Sequence, residues 1–239
     1  MRKRALSNVF AGIGMSLIIL FTSCVNDKNL DLPPIADQSF SEEFDTAVSA
    51  ISRGWKIQNV SEPHNAGIWQ QGGDVIPWFS PWSSNGSYAG FVGVPCAAGA
   101  GIVSNWLISP AYTIQNGDKL TFYARGWQWD DGAGDSTDYG NRLQVRINKT
   151  NDGTNVGSGS NFGDFTSLML DINPTYLVSS QVAPEPKSFP TTWTKFEVTV
   201  YGIEQPVKGR IGFRYFIEDA ASNGTGIAID KVVYKSVGH

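Results

Sequence analysis

Lys119-Leu120-Thr121-Phe122-Tyr123-Ala124-Arg125 is the stretch on which the fold turns. Leu120, Phe122 and Ala124 alternate with Thr121, Tyr123 and Arg125, the period-two pattern of a strand with one apolar and one wet face. The same pattern recurs three times. Leu143, Val145 and Ile147 alternate with Arg142, Gln144 and Arg146; Phe196, Val198 and Val200 with Lys195, Glu197 and Thr199; and Ile211, Phe213 and Tyr215 with Arg210, Gly212 and Arg214. Strands of this kind pair into antiparallel sheets that bury one face each. Between them run long segments rich in Gly, Asn, Ser and Asp, at Asp130 to Asn141, Asn148 to Asn161 and Ser222 to Gly226. One short helix is expected over Glu42 to Ser52, with Ala47, Val48 and Ile51 on its apolar side. No internal repeat or linker interrupts residues 38–239. The expected architecture is all-β: a two-sheet antiparallel jelly-roll β-sandwich with long loops.

The N-terminus reads differently. Met1-Arg2-Lys3-Arg4 is basic, and the apolar run from Val9 to Phe21 is shorter than the roughly 20 residues that span a bilayer. The run suits the h-region of a secretory signal peptide. Its end, Leu20-Phe21-Thr22-Ser23-Cys24, resembles the lipobox of bacterial lipoproteins. The resemblance implies a signal peptide over 1–23, a lipid-modified Cys24 and a lipid anchor in the outer membrane of a diderm bacterium, facing the periplasm or the cell surface. Polar, proline-containing residues 24–37 read as a flexible tether to the domain at 38–239.

Removing 23 of the 239 residues leaves 216, and because that stretch holds three basic residues and no acid the net charge moves from −4 to −7. An acidic chain without a basic run argues against nucleic acid as a partner, since phosphate binding requires clustered Lys and Arg. The only contact with a membrane is expected through the lipid. Of the two cysteines, an acylated Cys24 leaves Cys96 alone, so no intrachain disulfide forms. Cys96, in the small-residue segment Pro95-Cys96-Ala97-Ala98-Gly99, reads as a packed thiol.

A set of short motifs then comes in a telling order. Phe40-Ser41-Glu42-Glu43-Phe44, Gly54-Trp55 and Trp106-Leu107-Ile108-Ser109-Pro110 precede the strand at Lys119–Arg125. Asn173-Pro174, Trp193-Thr194-Lys195-Phe196, Gly209 to Tyr215 and Ile229-Asp230-Lys231-Val232 follow it. Over residues 38–235 the chain resembles the choice-of-anchor J group, related to the cleaved-adhesin domains of gingipain-type proteases and more distantly to MAM domains. The resemblance implies a jelly-roll sandwich, often with bound calcium, acting as an adhesive or ligand-binding module without catalytic residues.

Two kinds of site are candidates. In Ile227-Ala228-Ile229-Asp230-Lys231-Val232-Val233-Tyr234 the apolar alternation changes phase at Asp230. An acid at such a break either faces water at a bulge or faces a neutralising group, because an unpaired buried carboxylate is costly. Calcium is one such group, with Glu43 or Asp45 near the first strand as further ligands; an ion pair with Arg210 or Arg214 is the alternative. The acid-rich Asp130-Asp131-Gly132-Ala133-Gly134-Asp135-Ser136-Thr137-Asp138 lacks EF-hand spacing and reads as a solvated loop. The second site is aromatic. Trp78 and Trp82 lie in a proline-punctuated segment, and Trp127 and Trp129 share one side of a strand end running into Asp130 and Asp131. Exposed rings stack on sugar rings while Asp bonds hydroxyls. Trp55, Trp106 and Trp193 are assigned to the core.

Catalysis finds little support. The histidines are His64 and His239, and no G-x-S-x-G, H-E-x-x-H or phosphate loop occurs. The leading expectation is a non-catalytic envelope lipoprotein that binds a glycan, or a surface or host glycoprotein. A structural subunit of a surface complex or fibre comes second, and a carboxylate-dependent glycoside hydrolase third. Asp45-Thr46-Ala47 resembles an O-glycan acceptor motif of gut anaerobes.

Overall fold

The computed structural model describes residues 35–64, 67–72, 90–97, 99–130, 136–178 and 188–237. Fourteen strands and one helix follow in chain order: β1 (Phe40–Glu42), α1 (Ala47–Ser52), β2 (Lys56–Asn59), β3 (Gln70–Gln71), β4 (Val92–Pro95), β5 (Val103–Ile108), β6 (Tyr112–Ile114), β7 (Lys119–Gly126), β8 (Trp129–Asp130), β9 (Ser136–Thr137), β10 (Leu143–Asn148), β11 (Ser167–Ile172), β12 (Thr194–Thr199), β13 (Val207–Ile217) and β14 (Gly226–Lys235). Two six-stranded sheets carry the structure. Sheet A has the order β12-β7-β14-β4-β3, with β1 also on β14; sheet B has the order β11-β10-β13-β5-β2, with β6 also on β13. Every strand pair among the described residues is antiparallel. The all-β, two-sheet sandwich read from the alternation is the observed architecture, and Ile35–His239 forms one compact unit.

The apolar sets of the four alternating strands meet between the sheets, that of β12 through Val198 and the adjoining Val200. Leu120, Phe122 and Ala124 from β7 and Leu143, Val145, Ile147, Ile211, Phe213 and Tyr215 from β10 and β13 are all buried in one cluster. Phe122 of sheet A packs edge-on against Phe213 of sheet B at 5.1 Å. Trp55 closes one end of the core, 5.2 Å from Phe44 and 6.3 Å from Phe213.

The helix departs from expectation. Glu42 ends β1, and α1 begins only at Ala47, because Phe44 takes a left-handed conformation (φ 49°). The Thr46 side chain then caps the helix by accepting the Ser49 N–H at 3.1 Å. The buried residue of α1 is Ala50, whereas Val48 is 78% exposed.

Sheet B also differs from the wet-faced sheet that alternation implies. The outward residues Arg142, Gln144, Arg146 and Arg214 are buried along with their inward neighbours. The long β10–β11 connection folds back over this face, bringing Val156 and Phe165 onto Trp106 and Ile108. Successive Asn side chains shape it: Asn148, Asn151 and Asn155 accept the N–H of Thr150, Gly153 and Gly157 at 3.1, 2.7 and 3.1 Å. Gly212 makes the contact possible, since a Cβ there would lie 3.0 Å from the Trp106 ring and 3.1 Å from Phe165. Trp106 is thus buried, as expected, but in a satellite core outside the sandwich.

Candidate functional site

The outer face of sheet A gathers the groups suited to binding. Register fixes two rows across it. Arg125 of β7 lies beside Ala228 of β14, which lies beside Gly93 of β4 and then Gln70 of β3. One step along, Lys195 of β12 lies beside Tyr123 and then Asp230. Phe91 and Ala228 are buried here, with half-buried Trp127 and Trp193 packed against them. The rings of Phe91 and Trp193 meet edge-to-face at 5.6 Å. Arg125 and Tyr123 are half-buried, and burial pushes the Arg125 guanidinium below its ordinary range. Trp193 is therefore a surface-sheet residue rather than the core residue its sequence context suggests. It sits one step before β12 and extends the outward series Lys195 and Glu197, a signal the alternation already carried.

Trp127 is held by a polar hub. Its N–H donates to the Gly226 carbonyl at 2.9 Å, and its carbonyl accepts the Thr225 hydroxyl at 2.5 Å. Thr225 in turn is fixed by Asn141. The buried Asn141 Oδ1 accepts the Tyr215 hydroxyl at 2.8 Å and the N–H groups of Thr225 and Gly226 at 3.0 Å each. Its Nδ2 donates to the Asp138 carbonyl at 3.2 Å and the Thr225 hydroxyl at 2.9 Å. Nothing in the sequence distinguishes Asn141 from the other loop asparagines; only the return of the chain at Thr225 gives it three donors.

The phase change at Asp230 is a β-bulge. Asp230 opposes Tyr123 and Val233 opposes Thr121, so the β14 side carries an extra residue. Lys231 takes φ 50° there, and its N–H donates to Asp230 Oδ1 at 2.7 Å. Asp230 is 2% exposed. Neither arginine weighed as its partner serves: Arg210 donates to the carbonyls of Asp152 and Ser109, and Arg214 lies on sheet B. The first and last strands are neighbours, with Glu42 opposite Val232. The buried acid of β1 is Glu42, clamped by Arg53 through Nε at 2.9 Å and Nη2 at 2.5 Å. Glu43 is half-buried and accepts the Ser41 hydroxyl at 2.8 Å, and Asp45 is exposed. Beside them the carbonyls of Phe44 and Asp45 face the Gln71 side-chain amide, whose Nε2 donates to the Phe44 carbonyl at 3.4 Å and to the Phe91 carbonyl at 3.1 Å. Among the described residues no three His, Cys, Asp or Glu side chains group closely enough to hold a metal ion.

Other expected residues fall as follows. Cys24, Trp78, Trp82 and Asp131 lie outside the described residues, and of Trp129 and Asp130 only the backbone is described, in the β8–β9 hairpin. Asp138 is buried rather than solvated, its Oδ1 accepting the Gly140 N–H at 3.1 Å. The Cys96 thiol is half-buried, 3.7 Å from the Asn223 carbonyl, and His64 is exposed.

Solved structures place this architecture. The K1 cleaved adhesin domain of Lys-gingipain from Porphyromonas gingivalis W83 superposes with a TM-score of 0.52 at 22% identity, covering 84% of this chain and 99% of that one. In fold, the chain is similar to the cleaved adhesin domains. The K2 domain of Lys-gingipain gives the same TM-score and coverage at 17% identity. No family model matches the chain, and no curated protein matches it. The likeness is one of fold, at low sequence identity.

Proposed function

We propose that the chain is a non-catalytic binding lipoprotein whose adhesin-like sandwich holds a glycan on the outer face of sheet A. The observation that carries the reading is the packing of Trp127 and Trp193 on Phe91 and Ala228, beside the in-register Tyr123, Arg125 and Asp230. Aromatic rings held by packed strands offer flat apolar area at little entropic cost, and Arg125, Lys195 and Gln70 supply donors at its margins. The name of the similar gingipain domains, adhesin, agrees with a binding role. On this reading Cys24 carries the lipid that holds the domain at the outer membrane, and Trp78, Trp82, Trp129, Asp130 and Asp131 are further ligand contacts. Calcium held by Asp230 with Glu43 and Asp45 would brace the β1–β14 pair.

A glycan array probed with residues 35–239 tests the proposal. Binding to a defined set of saccharides is expected, weakened by Trp127→Ala and by Trp193→Ala. Truncating an aromatic stacking residue in a binding site costs about 2 kcal/mol, roughly thirtyfold in Kd. A protein that binds no saccharide, or binds it equally well without both tryptophans, would refute it.

A further inference from the structure

The outer face of sheet B carries a charge imbalance that its structural role does not use up. Arg142, Arg146 and Arg214 all lie buried there, against one half-buried carboxylate, Asp171, and the largely exposed Glu218. Two of the three guanidiniums are fully engaged. Arg142 grips Asp171 in bidentate fashion at 2.8 and 2.7 Å and turns Nη1 to Tyr176 and Glu218. Arg214, 1% exposed, gives all its nitrogens to the sheet and the covering loop: Ser104 Oγ at 3.0 Å, Gln144 Oε1 at 3.4 Å, and the carbonyls of Gly159 and Asn161 at 2.6 and 3.1 Å. Burial, then repulsion from Arg146 and Arg142, pushes it down to about 9.

Arg146 is different. Its Nε donates to Gln144 Oε1 at 3.0 Å and its Nη1 to the Phe165 carbonyl at 3.2 Å. Nη2 has no partner among the described residues and is not sealed from the surface. The Phe162 ring lies over this guanidinium at 4.2 Å and is itself 36% exposed. On the neighbouring strand Leu168, opposite Arg146 in register, is 40% exposed. A rigidly held guanidinium edge thus opens between two exposed apolar groups, in a region with surplus positive charge.

We propose that Arg146, Phe162 and Leu168 form a second saccharide subsite, selective for sugars bearing a carboxylate. The carboxylate accepts from Arg146 Nη2, a charge-assisted bond favoured by the surplus cations beneath it. The sugar's C–H face lies on the outer side of Phe162, with Leu168 extending the apolar floor. The chain's net charge of −4 repels polyanions overall, so any attraction must be local to this face. The inference rests on the glycan reading above and adds to it the charge of the ligand.

The experiment compares polygalacturonate with neutral galactan by calorimetry on the full-length protein at low salt. Polygalacturonate is expected to bind about tenfold more tightly than galactan, since a charge-assisted hydrogen bond is worth at least that factor. Arg146→Gln is expected to remove this advantage, Phe162→Ala to weaken both the polyanion and the stacking, and Lys119→Gln on sheet A to change neither. Phe162 is exposed, so its variant remains informative should Arg146→Gln unfold. Equal affinity for the two polymers, or polygalacturonate binding untouched in both the Arg146 and the Phe162 variants, overturns the subsite while glycan binding at Trp127 stands. Failure to bind either polymer or any arrayed saccharide overturns the glycan reading and the subsite together.

Discussion

Replacing Asn141 with Ala isolates the hub that joins the site to the core. The substitution removes one acceptor shared by three donors: the Tyr215 hydroxyl and the N–H groups of Thr225 and Gly226. Asn141 and Thr225 are buried and Tyr215 is fully so, and the Cys96 thiol beside the Tyr215 hydroxyl is only a weak acceptor in place of the lost oxygen. Each buried donor left unpaired costs about 1–3 kcal/mol. Three of them give a loss of about 3–9 kcal/mol, against a total stability of about 5–15 kcal/mol for a domain. For a chain of this size each kcal/mol lowers Tm by about 2–4 °C, so even the lower bound predicts a fall of about 6–12 °C. Tyr215→Phe serves as the internal reference. It removes one donor and leaves Asn141 Oδ1 still accepting two, so the loss should be about 0.5–1.5 kcal/mol. Urea unfolding followed by tryptophan fluorescence measures both variants. If Asn141→Ala costs no more than Tyr215→Phe at an unchanged m-value, the three-donor reasoning is wrong.

Two further outcomes follow from the same structure. Burial raises the hydroxyl pKa of Tyr112, Tyr215 and Tyr234 above the ordinary value near 10. The unfolded chain therefore releases these protons first, and the stability they contribute is intact below about pH 10 and declines above it, by about 1.4 kcal/mol per pH unit for each tyrosine. Melting curves between pH 8 and 11 check this, and Tyr112→Phe should flatten the decline; a stability independent of pH over that range would contradict it. For the calcium proposal, thorough chelation should lower Tm and added calcium restore it. Asp230→Asn should abolish the response, whereas identical melting with and without chelator would retire the metal.

Much of the sandwich was legible in the chain itself. Alternation named the inward residues of β7, β10, β12 and β13, because a strand's side chains point to opposite faces by local backbone geometry alone. The same logic exposed the bulge: an apolar series that skips one residue at Asp230 cannot keep one face without inserting one. The short helix was harder, since its start depends on a left-handed Phe44 and a Thr46 cap, neither of which has periodicity.

The binding faces were another matter. Alternation places Arg142, Arg146 and Arg214 outward, and outward normally means wet. What covers Arg146 and Arg214 is the β10–β11 loop folding back over the sheet, held by carbonyls that no side-chain pattern encodes. Likewise Trp127 and Trp193 come to pack on the same Phe91–Ala228 patch only because β12 lies beside β7 and β7 beside β14. Local sterics dictate which way each side chain points, so the chain alone determined the strands and their greasy sides. Which outward residues stand together, and which are covered, depends on strand order and loop return, and these are decided only when distant segments compete for the same surface.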